Sequence, residues 1–155
     1  MDEKGIKVLG SNRRAFHEYT ISDTWEAGIA LQGTEVKALR DGKVNLTDGW
    51  VDITGGGQAM LRDVHIGHYS HGNIMNHLER RSRTLLLHRR EIEKLIRATQ
   101  AKGYTLLPLK IYFRGRFVKI EIGLGKGKKS YDKRDTAKEK DAKREVDRAM
   151  KGQRR

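Results

Sequence analysis

The last thirty residues of the chain, Lys126 to Arg155, hold thirteen Lys or Arg, six Asp or Glu, and only Tyr131, Val146 and Met150 as sizeable apolar groups. A segment so composed cannot offset its own ordering entropy and is expected to be disordered when free. Any core must therefore come from the first 125 residues. That is enough for one domain. The segment does place Ala142, Val146, Ala149 and Met150 at helical spacing, with i,i+4 ion pairs such as Glu139–Lys143 and Asp147–Lys151. Such pairs give only about 0.2–0.5 kcal/mol each, so the expected helix forms on a polyanionic surface, where counterion release drives it.

The net charge of +13 is shared between tail and body, because residues 1–125 carry 20 basic and 14 acidic groups. A body that is itself basic points to nucleic acid. Absence of cysteine removes disulfides, thiolate metal sites and cysteine nucleophiles, and suits a reducing, cytoplasmic setting. Residues 1–10 read as a flexible leader without a long apolar run.

Short strands dominate the reading of residues 11–125. Ala15–Ile21 and Trp25–Gln32 read as curved strands, and Thr34–Arg40 as a short helix, with Thr34 as N-cap and Gly42 as the stop. Trp50–Ile53 and Ala59–Val64 form a hairpin around Gly55-Gly56-Gly57. Residues 65–82 read as a long polar surface loop. Leu85-Leu86-Leu87 leads into a helix at about His88–Lys102, with Ile92, Leu95, Ile96 and Thr99 on one face and Gly103 closing it. Tyr104–Phe113 and Phe117–Leu124 are strong strands, the first with an edge or bulge at Pro108. The expected fold is mainly β: a small OB-type barrel of five or six strands with two or three short helices. An α+β sandwich with one open sheet face is the alternative.

Several segments invite a catalytic reading and do not sustain it. Gly123 to Ser130 resembles a phosphate loop, but that pattern needs glycine where Ile122 stands. Its glycines more plainly let the backbone leave the barrel and approach a phosphate chain, with Lys126, Lys128 and Lys129 as counter-charges. His65, His68, His71 and His77 lack metal-ligand spacing and read as solvated loop residues. Glu18, Glu26, Glu35 and Asp41 form no evident acid/base pair, and no nucleophile–base arrangement is visible, so the chain is not expected to be an enzyme or to carry a cofactor or metal. Residues 12–19, Asn-Arg-Arg-Ala-Phe-His-Glu-Tyr, combine cations, an amide and aromatics, the types that contact phosphates and splayed bases. Arg13, Arg14 and His17 are the candidates there.

Five ordered motifs then carry a family resemblance over roughly residues 10–155. They are residues 12–19, Glu-Ala-Gly-Ile-Ala-Leu-x-Gly-Thr-Glu-Val-Lys (26–37), Leu-Arg-x-Gly-Lys-Val (39–44), Arg-x-Leu-Leu-Leu-His (83–88) and Gly-Lys-Gly-Lys-Lys-x-Tyr-Asp-Lys-Arg (125–134). Together they resemble the SmpB, or SsrA-binding, family of bacterial trans-translation. The resemblance implies an OB-type barrel that binds the tRNA-like domain of tmRNA and brings it to a stalled 70S ribosome. The tail would then read the empty mRNA channel and the 16S rRNA decoding centre, and elongation factor Tu would be met through the tmRNA complex.

Carried over by position, the tmRNA-contacting set is Asn12, Arg13, Arg14, His17, Glu26, Leu86 and Lys119. Gly127, Tyr131, Asp132, Lys133 and Arg134 match the element that engages the decoding centre. Tyr131 can stack on a base but cannot titrate near neutrality. Glu26 either contacts RNA or orients Lys119 or an arginine. A structural ribosomal or rRNA-binding protein, and an RNA-modifying enzyme using the histidine loop, are the competing classes.

Overall fold

In the computed structural model, residues 5–71 and 76–128 are described. The chain runs β1 (Ile6–Ser11), α1 (Arg13–Glu18), β2 (Tyr19–Ile29), α2 (Gly33–Arg40), β3 (Val44–Asn45), β4 (Trp50–Ile53), β5 (Ala59–Arg62), β6 (His65–Ile66), β7 (Arg83–Leu86), α3 (Arg89–Thr99), β8 (Tyr104–Arg114) and β9 (Phe117–Gly127). The main sheet has the order β1-β8-β4-β5-β7-β2-β9, and β9 also pairs with β8. Six antiparallel strands thus close an OB-type barrel, with β1 attached outside β8. Closure removes the exposed edges that a small open sheet would leave.

The barrel interior is filled by inward residues of alternating strands, among them Leu61, Leu106, Ile111, Ile120 and Ile122, all essentially inaccessible. Leu39 of α2 and Leu95 of α3 complete it from outside the strands. Each such side chain contributes about 1.5–3 kcal/mol by leaving water. A second cluster of Ala15, Leu107 and Leu109, flanked by Tyr19 and Ile21, seats α1 on the barrel. The long hairpin β8–β9 changes register between Pro108 and Lys110, so the bulge expected at the proline is present.

Four expectations are corrected. Residues 6–10 are not a leader, because β1 pairs along β8 from Ile6↔Arg114 to Ser11↔Lys110. Ala15–Glu18 is helix rather than strand: Asn12 Oδ1 accepts from the Ala15 N–H at 3.1 Å, and Ala15 alone turns inward. The cap on α2 is not Thr34; the Gln32 N–H donates to Glu35 Oε1 at 2.8 Å, while the Thr34 hydroxyl pairs with His77 Nδ1 at 2.9 Å.

Finally, the glycines after Ile122 do not release the chain at 125. A Cβ on Gly123 would lie 2.6 Å from Leu109 Cδ1, and one on Gly125 would lie 3.1 Å from Leu107 and Tyr19. They remain inside β9 and let the second cluster close onto it. Strand pairing persists to Gly127, so the barrel extends past the expected limit at residue 125. The expected disordered or helical tail, including Lys129, Tyr131, Asp132, Lys133 and Arg134, lies outside the described residues.

Candidate nucleic-acid interface

The sequence-derived site residues separate into two groups along the β2–β9 ladder. One group lies where Tyr19 pairs with Gly127, the other where Gly28 pairs with Lys119. Nine residue steps along β2, from Tyr19 to Gly28 and roughly 30 Å of strand, divide them.

The first group surrounds α1. Arg13 and His17 project into solvent, and Phe16 beside them is half exposed. Arg14 ion-pairs with Glu18 at 3.1 Å and reaches Asp48 at 3.6 Å. The Lys128 N–H donates to Glu18 O at 2.8 Å, and its ammonium donates to Phe16 O at 3.0 Å. Lys126 stands over the Tyr104 ring at 5.6 Å. Cations and exposed aromatic surface are thus gathered on one end of the barrel, the combination that suits an RNA backbone and unstacked bases.

Asn12 plays a different part. It is 2% exposed, its amide donates to Pro108 O at 2.9 Å and Leu46 O at 3.2 Å, and its oxygen caps α1. Both amide protons are used inside the protein. The side chain therefore acts by fixing the position of Arg13, Arg14 and His17, and direct RNA contact from its buried amide is not available.

The second group lies across three strands. Gly28 pairs with Leu86 on one side and Lys119 on the other. In β7, Arg83 and Leu85 point inward, which turns Leu86 out, 59% exposed. With no side chain at Gly28, the Leu86 side chain lies across the strand; a Cβ there would approach Leu86 Cβ at 3.2 Å. Next to this row, Glu26 accepts a hydrogen bond from the Tyr112 hydroxyl and one at 3.2 Å from Arg114 Nη1. Glu26 therefore orients an arginine, Arg114, and not Lys119. Burial and the facing Glu26 carboxylate push the Tyr112 phenol well above its usual range, so it stays a donor. Glu26, Leu86, Lys119, His88 and Ile92 line a cleft of about 790 Å³ between these strands and the start of α3.

Tyr112, Arg114 and Phe117 were missed by the sequence reading. The first two stand two apart on β8 and so share a face, a period-2 signal that could have paired them with Glu26. Phe117 is 70% exposed and lies 6.0 Å from Lys119 Nζ, ring centroid to nitrogen. An aromatic that far from the core at a strand start is the available signal.

The histidine loop is not uniformly solvated. His77 is 3% exposed, bridging the Thr34 hydroxyl and the Ile66 carbonyl, which its Nε2 meets at 2.9 Å. His65 pairs with Glu79, a contact that holds this carboxylate below its usual range. Beneath them, Glu35 accepts from Arg81 Nε at 3.0 Å and from Arg83 Nε; Arg83 also donates to Val64 O at 2.7 Å and Glu79 O at 3.0 Å. Glu35 and Arg83 are both fully buried. The charges fasten the segment after β6 to α2 and the barrel. Among the described residues, no three His, Asp or Glu side chains converge as metal ligands.

Comparison with known proteins now decides the family. The sequence pattern of the SmpB protein family matches residues 9–152. The chain belongs to the SmpB family. It is 54% identical over 145 residues to the SsrA-binding protein of Oceanobacillus iheyensis, covering 94% of each chain. Identity to the SsrA-binding protein of Bacillus subtilis is 52% over 144 residues, 93% of this chain and 92% of the relative. Among solved structures, one described as "tmRNA-SmpB: a journey to the center of the bacterial ribosome" matches with a TM-score of 0.67 and 47% identity, over 78% of this chain and 85% of that one. The family fold agrees with the closed barrel seen here. No described helix is long and apolar enough to cross a membrane.

Proposed function

We propose that the protein binds the tRNA-like domain of tmRNA and delivers it to stalled ribosomes for trans-translation. It acts by binding, without catalysis, in the cytoplasm. The observation that carries this reading is the row Leu86–Gly28–Lys119 beside the Glu26–Tyr112–Arg114 cluster, on the rigid barrel of an SmpB-family chain. A flat apolar contact flanked by fixed cations reads the shape and backbone of a folded RNA without a base code. Arg13, Arg14, His17, Lys126 and Lys128 supply a second cationic surface at the other end of the ladder. Lys129 would extend it.

Two separated basic surfaces suit a protein held between two RNA bodies: tmRNA at one and 16S rRNA at the other. We assign Gly127, Tyr131, Asp132, Lys133 and Arg134 to the decoding centre and mRNA channel, and contact with elongation factor Tu to the assembled tmRNA complex. Gel-shift competition tests the first step. A tmRNA acceptor-arm fragment is expected to displace labelled tmRNA far better than bulk tRNA does; equal competition would overturn the assignment.

A further inference from the structure

Around the tip of the β8–β9 hairpin lies a third cationic surface, of which only Arg40 falls within a family motif. Lys7 of β1, Arg40 at the end of α2 and Arg116 in the hairpin turn converge with Phe113 on a cavity of about 750 Å³. They come from three elements held in fixed relation. Lys7 pairs with Phe113 across the β1–β8 ladder, and the Gly115 N–H donates to Gly5 O at 2.9 Å, tying the turn to the start of β1. The Arg40 guanidinium lies over the Phe113 ring at 5.7 Å, which fixes its plane.

Among the described residues, no carboxylate lines this cavity. Asp41, next in sequence to Arg40, is not among the residues that line it. Among the described residues, none of Lys7, Arg40 and Arg116 takes part in an ion pair, whereas Arg14, Arg62, Arg80, Arg81, Arg83 and Arg114 all do. Three exposed cations gathered with no counter-charge among the described residues repel one another, and a string of phosphates reverses that balance. Arg116 also lines the neighbouring groove with Leu86, Phe117 and Lys119. That one side chain makes the two surfaces continuous.

We propose that Lys7, Arg40 and Arg116 form a phosphate-binding strip that continues the Leu86–Lys119 surface around the hairpin tip, engaging the sugar-phosphate backbone of the same RNA. The inference rests on the functional reading above and commits to tmRNA as the occupant because of the shared Arg116.

Binding of a labelled tRNA-like fragment of tmRNA to the full chain, measured by anisotropy over a range of salt, tests it. K7Q/R40Q/R116Q is expected to weaken binding by about tenfold at low salt. It should also flatten the log–log salt slope by about 2, since each phosphate no longer neutralised removes roughly 0.7–0.9. A matched variant with three exposed cations of α3 removed, R90Q/K94Q/R97Q, should leave the slope nearly unchanged. Equal effects in both variants would reveal a bulk-charge effect and overturn the strip. So would an unchanged slope in K7Q/R40Q/R116Q while wild type still prefers tmRNA to bulk tRNA. If wild type shows no such preference, the functional reading itself falls. Should the triple variant melt early, R116Q alone carries the test, with a slope change near 0.7.

Discussion

Glu35 and Glu26 are both carboxylates held by arginines, yet the two regions use that chemistry to opposite ends. Glu35 is fully buried, meets Arg81 and Arg83, and joins the segment after β6 to α2. Glu26 keeps a third of its side chain exposed and meets Tyr112 and Arg114 at the rim of an open cleft. Where water is excluded, an ion pair that is fully hydrogen-bonded fixes one conformation, because losing either partner strands a charge. Where water enters, the same pair contributes little to folding and instead sets the direction of a cation that another molecule can meet. Partnership alone does not reveal purpose; solvent access does.

The largest effect should come from breaking the buried member. Glu35→Ala leaves Arg83 charged and enclosed, and a loss of about 3–5 kcal/mol is expected in denaturant unfolding. Burial pushes the Glu35 carboxyl up, but the bonds from Arg81, the Gln32 N–H and Arg83 outweigh this and hold it below its ordinary value of 4.5. A group lowered in this way contributes stability above the unfolded value and loses it as pH falls through the folded one. Wild-type stability should therefore drop on acidification below about pH 4.5, and Glu35→Gln should show a shallower drop over that window. An identical acid profile in the two proteins would remove Glu35 from the account.

Asn12→Ala comes next. It removes the α1 cap and the amide donor to Pro108 O, while Leu46 O keeps the Gly49 N–H, so about 1–3 kcal/mol is expected. RNA affinity should fall through misplacement of α1; a variant of full stability with weakened RNA binding would restore Asn12 as a direct contact. Glu26→Gln should change the melting temperature little while weakening tmRNA binding by up to about tenfold. If it destabilised the fold as much as Glu35→Ala, the contrast between the two carboxylates would fail. The smallest effect belongs to Arg14→Ala, whose exposed pairs with Glu18 and Asp48 are worth under about 1 kcal/mol to folding.

The barrel was legible where apolar residues alternate or recur over long stretches, as in β8, β9 and α3. It was illegible where one element is shorter than its own period. The six residues of α1 bury only Ala15, so their pattern could be mistaken for an irregular strand until the Asn12 cap was seen. The leader hid β1 because a strand attached to one neighbour needs little apolar content, and its Val8 is half exposed. His77 looked like a loop residue because its partners, Thr34 and Ile66, are distant in sequence. At the interface, Leu86 and Lys119 stood in recognisable motifs. The role of Glu26 was not readable, since Tyr112 and Arg114 lie more than eighty residues away and only the closed sheet brings them to it.

The bonds from Lys128 back to α1 have a geometric consequence. They nail the origin of residues 129–155 to the cationic end of the barrel, so the body's orientation dictates where that segment starts. From this anchor the remaining chain spans at most roughly 90 Å if fully extended and about 40 Å if coiled into one helix. Tilting the barrel on its RNA would carry the Lys128 anchor with it, so the grip of the body sets the point from which residues 129–155 depart.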